Sequence, residues 1–419
     1  MARVLIAWEL GEAFGHLARC LQLAEGLRRR GHTVAMALKD VRLPTGRGSP
    51  QGFTVLPAPL TPQLRPSAQR LPVNYADVLR HCGFADAQDV AARLAAWQGI
   101  FSLARTEVLV ADHAPTALLA ARLAGIAHVP IGNGFAIPPD VTPWPSIRPW
   151  EAIADAALVA AEQRLDQVTE AAQKTLGRSA PVRIRELFGA HDVLDTFAEL
   201  DHYGERPNGR YIGPIVSLPD ARRVGWQDQA GAKVLAYLRP EVPGFSAILS
   251  ALARLDAEVL CVAPGLAPGM ARRSATRRLR IALAPLDLPP LLARADLAVG
   301  YGNSGFSTQA LLAGAPLLMR PRHVEQGLLA HRVEAMGAGE LLDASADVET
   351  VTARLQALLH SPDHRQAAQT FRDRYRHFLP EQAIEQTLAH IERGIANGRE
   401  PLVARHAQKP QEKPPACLH

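Results

Sequence analysis

Between Ala295 and Gly339 the chain reads ADLAVGYGNSGFSTQALLAGAPLLMRPRHVEQGLLAHRVEAMGAG, and no other stretch narrows its possible folds as far. Ala295 to Tyr301 is a short apolar run that predicts a buried strand. Gly302-Asn303-Ser304-Gly305 predicts a tight turn, and helical spacing then runs from Phe306 to Gly314, with Pro316 as a stop. A strand that feeds a glycine turn and then a helix gathers unpaired backbone N–H groups and a positive dipole end at one point. That is a cradle for an anion, most often a phosphate. A further strand from Leu317 to Arg320 leads to a helix near Val324 whose first turn carries Glu325 and Gln326. Hydrogen-bonding side chains beside a phosphate cradle point to a phosphate with a polyhydroxyl appendage.

The rest of the chain alternates in the same way. Arg3 to Trp8 predicts a strand, His16 to Arg30 an amphipathic helix closed by Gly31, and Thr33 to Leu38 a second strand. Residues 44–73 are proline-rich and predict irregular loop. Helices are expected over 85–103 and 115–123, with strands at 107–111 and 127–131, so the first half reads as a parallel, doubly wound α/β sheet. Pro138 to Pro149 holds five prolines and predicts loop, followed by helices through much of 150–200. A second alternation starts at Lys233, with strands at 233–238, 258–263 and 279–284, and a long helix is expected over 380–396. The polar ending KPQEKPPACLH predicts a disordered tail.

A chain of 419 residues accommodates two such domains, each with its own core. No apolar run approaches the ~20 residues of a spanning helix, and the opening ARVLIAWEL turns acidic too soon for a signal peptide, so the expected location is the cytoplasm. Cys20, Cys82, Cys261 and Cys417 have no paired spacing, which argues against a disulfide framework or a zinc site. The net charge of +5 comes mostly from arginines spread along the chain. That pattern suits small anionic ligands such as nucleotide diphosphates and gives no expectation of nucleic acid, while leaving a peripheral membrane contact as an option.

Gly15-His16 lies where the first strand's loop meets the first helix, at the carboxyl edge of the sheet where ligands collect. Gly15 gives a ligand room to approach, and the helix start disfavours imidazolium, so His16 is a candidate general base. Asp112, following the strand 107–111, reaches the same edge and is its candidate partner; His113 is the alternative. Each also has a purely structural reading, His16 as a polar residue at a helix start and Asp112 as a cap for the next helix.

The segment 295–339 resembles the donor-binding signature of the UDP-glycosyltransferases. Gly302, Gly305, Ala310-Leu311, Gly314, Pro316, Pro321, Glu325-Gln326, Ala330, Val333 and Gly337-x-Gly339 fit without a gap. The resemblance implies a GT-B architecture, in which two Rossmann-like doubly wound domains face a central cleft. Residues 1–215 would form the acceptor-side domain and 216–380 the donor-binding domain, with Gly213-Pro214 at the exit from the first. A helix over 381–397 would return to the first domain, and 398–419 would be the tail. The implied reaction is inverting transfer from a nucleotide diphosphate sugar to an acceptor hydroxyl, with His16 as base and Asp112 behind it.

Four positions depart from the family pattern: Tyr301 stands for the phosphate-binding His, Asn303 for a Gly, Gln309 for the ribose-binding Glu and Leu329 for an Asn. Arg19 also replaces a frequent Pro, and Ala284 to Leu288 lacks the aromatic platform for the base, so the identity of the base is open. Tyr301 is expected to offer the diphosphate a neutral hydrogen bond, alongside the amides of Ser304, Gly305 and Phe306. Arg239 would compensate for the missing imidazole; Arg320, Arg322 and His323 are additional candidates, expected rather to face solvent. Glu325 and Gln326 would hold the sugar hydroxyls, and Gln309 the ribose. No Asp-x-Asp motif is present, so neither a metal nor any cofactor beyond the donor is expected. For a small-molecule or lipid acceptor, Phe14, Tyr75, Phe84, Trp97, Phe135, Trp144 and Trp150 are candidate walls, each with an alternative role in packing. A nucleotide-sugar epimerase or hydrolase and a non-catalytic sugar-nucleotide-binding protein are the competing readings.

Overall fold

The computed structural model describes residues 1–11, 14–41, 52–61, 71–189, 191–215 and 222–398. Its first sheet holds Arg3–Trp8 (β1), Thr33–Leu38 (β2), Thr54–Pro57 (β3), Val108–Asp112 (β4), Ala127–Gly132 (β5) and Val193–Leu194 (β6). The spatial order is β3-β2-β1-β4-β5-β6 and every pairing is parallel. Its second sheet holds Ala232–Tyr237 (β7), Ala257–Val262 (β8), Leu279–Ala282 (β9), Leu297–Gly300 (β10), Leu317–Met319 (β11) and Gly339–Leu341 (β12). There the order is β12-β11-β10-β7-β8-β9, again all parallel.

Both faces of each sheet are covered, which explains why the central strands are largely apolar. Along β1, Leu5 and Ala7 enter one core with Trp97, Leu109 and Ala111, while Val4, Ile6 and Trp8 enter another on the opposite face. The helix Pro380–Gly398 closes that second face, adding Ala383, Leu388, Ile391 and Ile395 beside Val108 and Val110. The end of the chain thus completes the core begun by its first strand. Tyr211 bridges Leu194 of the first sheet and Arg222 bridges Leu286 beside the second; the passage between sheets lies between those two residues. Residues 216–221, most of the 44–73 loop and the tail after 398 fall outside the described residues.

Several elements differ from expectation. β3 lies inside the stretch expected to be irregular; it is an edge strand with half-buried residues and a terminal proline, so neither alternation nor a continuous apolar run marks it. The helix Tyr75–His81, capped by Asn74, follows the same stretch. β6 has two residues, too few for any periodicity. β4 runs one residue further than predicted, because Asp112 pairs in register with Trp8 and Ile131. The helix after β10 spans Ser304–Leu312, starting two turn residues early, with Asn303 extended at its N-cap.

Candidate active site

The first half of the site grows from the carboxyl ends of β1 and β4. His16 occupies the first turn of the helix Phe14–Arg29, and its ring stacks on Trp8 at the end of β1, with centroids 5.5 Å apart and planes 15° from parallel. Its Nδ1 lies 2.8 Å from Asp112 Oδ1. Burial raises the Asp112 carboxyl's pKa, but Arg19 and then His16 outweigh it, and the net shift is downward. An ionised carboxylate only accepts, so Nδ1 carries a hydrogen, and in the neutral ring that leaves the lone pair on Nε2. Nε2 is turned towards Gly11, where a Cβ would stand 2.3 Å away.

Asp112 does not cap the helix Pro115–Ala124. That task falls to Glu9, whose carboxylate accepts from Thr116 N–H at 3.0 Å and Ala117 N–H at 2.7 Å. Asp112 is instead shared: Arg19 donates to the same Oδ1 at 2.7 Å and reaches Asp195 Oδ2, just past β6, at 2.5 Å. Glu9 and Asp195 were not among the residues singled out from the sequence, and Arg19 stood out only as a departure from the family pattern. Arg19 lies one helical turn from His16, a spacing that marks a shared face, but Asp195 carried no signal at all.

His113 is not the partner. Its backbone turns to φ 46°, and its ring centroid lies 6.2 Å from that of His16. Burial first, then the nearby His16, push its pKa down to about 4. An unfolded imidazole binds its proton near 6.5, so below that pH the unfolded chain takes up more protons. The stabilisation from neutral His113 is complete above pH 6.5 and is lost as pH falls towards 4. His113→Phe should therefore reduce the drop in unfolding free energy between pH 7 and pH 5 by about 2 kcal/mol, measured by urea titration; an unchanged drop refutes this assignment.

The second half forms around the start of Ser304–Leu312. The amides of Ser304, Gly305 and Phe306 occupy the first helical positions, where no intrahelical partner exists, and Asn303 makes no capping bond to them. Gly302 has φ +80° and a Cβ there would lie 2.8 Å from the Gln326 carbonyl, so the turn demands glycine. Gly15 and Gly305 instead face open space, with nothing within 4 Å of an added Cβ. Phe306 packs inward against Tyr237. Gln309 lines a cavity of about 470 Å³ together with Leu286, Leu288, Tyr375, Arg376 and Phe378.

Three expectations are corrected here. Tyr301 is only 2 % exposed, and its hydroxyl accepts from Arg239 N–H at 3.1 Å and donates to Arg239 C=O at 3.2 Å. It braces the Arg239 loop and has no hydroxyl to spare for a diphosphate. Gln326 is buried in the first turn of the helix Val324–Ala335, with Oε1 accepting from Arg322 N–H, just ahead of that helix, at 2.9 Å. Arg320, expected in solvent, is buried against Gly244 and donates to the Ala344 carbonyl. Arg239 has no carboxylate partner among the described residues.

The two halves touch. Asn133, just after β5, donates to Glu325 Oε1 at 2.7 Å and to Ser304 Oγ at 3.2 Å, and Trp150 stacks on His331 at 4.3 Å. Of the aromatic residues considered for an acceptor wall, Phe84 and Trp97 are core. Tyr75, Phe135 and Trp144 form a buried cluster beside His113. The Phe14 side chain falls outside the described residues.

Two parallel, doubly wound sheets whose strand ends bring residues such as Asn133 and Glu325 together are the GT-B architecture. No protein-family profile matches the chain. It is 27% identical over 299 residues to a PGL/p-HBAD biosynthesis glycosyltransferase of Mycobacterium tuberculosis (strain ATCC 25177 / H37Ra), covering 66% of this chain and 68% of that protein. It superposes on the calicheamicin glycosyltransferase CalG4 with a TM-score of 0.68 at 18% identity, covering 94% of this chain and 99% of that one. The spinosyn rhamnosyltransferase SpnG, complexed with spinosyn aglycone, gives a TM-score of 0.62 at 18% identity, covering 92% and 100%. SpnG has also been solved with thymidine diphosphate. The fold is the GT-B one, and the proteins the chain resembles in sequence are glycosyltransferases.

Proposed function

We propose that this protein transfers a sugar, with inversion, from a nucleoside diphosphate sugar to a hydroxyl of a small-molecule or lipid acceptor. The observation that carries the reading is the 2.8 Å contact between His16 Nδ1 and Asp112 Oδ1 at the rim of the first sheet. Nε2 takes the acceptor proton as the hydroxyl oxygen attacks the anomeric carbon, and Asp112 stabilises the imidazolium that forms. The bond from that carbon to the diphosphate breaks on the opposite face. The departing charge meets the amides of Ser304, Gly305 and Phe306 and the side chain of Arg239. Gln309 and its cavity take the nucleoside, and Glu325 takes hydroxyls of the sugar. No cofactor beyond the donor enters this reading.

A thermal-shift series tests the donor half. UDP or dTDP should raise the melting temperature of the protein, and Arg239→Ala should reduce that shift by weakening binding about tenfold, the scale of one charge-assisted contact. If neither nucleotide changes the melting temperature, the donor site is misassigned. If Arg239→Ala leaves nucleotide affinity untouched, the compensation for Tyr301 is wrong.

A further inference from the structure

His202 is 3 % exposed, yet neither ring nitrogen has a hydrogen-bond partner among the described residues. Leaving buried polar atoms unpaired is costly, so such atoms call for a partner from outside the chain. The turn that presents His202 is heavily braced. Asp201 accepts from Arg206 Nε at 2.7 Å, from the Tyr211 hydroxyl at 2.8 Å and from Tyr203 N–H at 3.0 Å. Arg206 continues to the carbonyls of Ile137 at 2.7 Å and Gly134 at 3.3 Å. The turn presses so closely on 134 that a Cβ there would lie 2.1 Å from Asp201 Oδ1. A rigid, fully bonded support beneath an unbonded imidazole is what a preorganised recognition group requires.

The neighbouring turn 133–135 reaches both Glu325 and His202. Asn133 bonds the Glu325 carboxylate at 2.7 Å, and two residues later Phe135 packs on the His202 ring with centroids 6.0 Å apart. Among the charges around His202, Glu325 acts on it most strongly, ahead of the adjacent Asp201. Burial lowers the pKa of His202, which keeps the ring neutral with one donor and one acceptor. Burial also raises the pKa of Glu325, but neighbouring groups and the Asn133 hydrogen bond outweigh it, and the net shift is downward.

We propose that His202 reads the transferred sugar from the first domain, opposite Glu325, and that this pair selects a sugar without a carboxylate. The inference rests on the donor-site reading above. A neutral imidazole facing a carboxylate offers one N–H, one lone pair and an anionic acceptor, which match hydroxyl or amino substituents. A uronate would meet Glu325 as a like charge in a partly desolvated site.

Titration calorimetry separates this inference from the donor-site reading. UDP, dTDP, UDP-glucose, dTDP-rhamnose and UDP-glucuronate are titrated into the wild-type protein and into His202→Phe, which retains the ring against Phe135 and removes both nitrogens. The variant should bind UDP and dTDP within about twofold of wild type and lose about five- to tenfold for the neutral donors, the scale of one hydrogen bond. The wild-type protein should bind UDP-glucuronate at least about tenfold more weakly than UDP-glucose, a comparison that needs no variant. Equal losses for free nucleotides and sugar donors would reduce His202 to packing and overturn the assignment, as would unchanged donor affinity. Equal affinity for the two UDP-sugars would overturn the charge selection. If neither UDP nor dTDP binds, the donor-site reading falls and this inference with it.

Discussion

His16→Ala should lower turnover by about 10²–10⁴-fold, the usual contribution of a positioned general base, while leaving binding of UDP or dTDP intact. The separation follows from the geometry. His16 belongs to the first sheet, and its ring contacts are Trp8, Asp112 and the Gly11 loop, whereas the amides proposed to receive the diphosphate start the helix after β10. The side chain is 20 % exposed and carries no core packing beyond its stack on Trp8, so truncation should cost little stability. Steady-state turnover and nucleotide-induced thermal shift, measured on the same preparation, decide the matter. Turnover that survives the substitution removes His16 from the chemistry, whatever the donor site does.

Arg19→Met should destabilise the fold by about 3–5 kcal/mol, the typical result of removing one partner from a buried ion pair. The Arg19, Asp112 and Asp195 side chains are 11%, 1% and 5% exposed. Without the guanidinium, two buried carboxylates confront each other. Burial already pushes the Asp195 pKa up to about 6, with Arg19 the main group holding it down. The clamp also joins three elements, since it ties the first helix to the ends of β4 and β6. Arg19→Met combined with Asp195→Leu should recover part of the loss, because it removes the stranded charge as well as its partner. Urea unfolding of the three proteins tests this; a single-variant loss below about 1 kcal/mol would mean that solvent relieves the carboxylates and no clamp exists.

Much of this arrangement was legible along the chain, and for a physical reason. A parallel strand buried on both faces is largely apolar, so β1, β2 and β5 announced themselves. The glycine turn before Ser304 was equally plain, because few other sequences permit that backbone path. His16 and Asp112 could be paired from a distance in sequence because both follow strands that reach one sheet edge. What escaped was whatever depended on an unmarked neighbour. β3 is a half-buried edge strand and β6 only two residues long. Tyr301 and Gln326 carry polar groups suited to a ligand, but the fold engages both with main-chain atoms of nearby loops.

Local pattern alone therefore determined the two α/β halves, the amide cradle and the candidate base, since each rests on periodicity or on a backbone conformation that only certain residues adopt. Only the tertiary structure decided who shares Asp112, who braces Arg239, and that Asn133 holds Glu325 across the interface. Those partnerships join residues scores of positions apart, where sequence supplies the chemical groups but only packing brings them within hydrogen-bond reach.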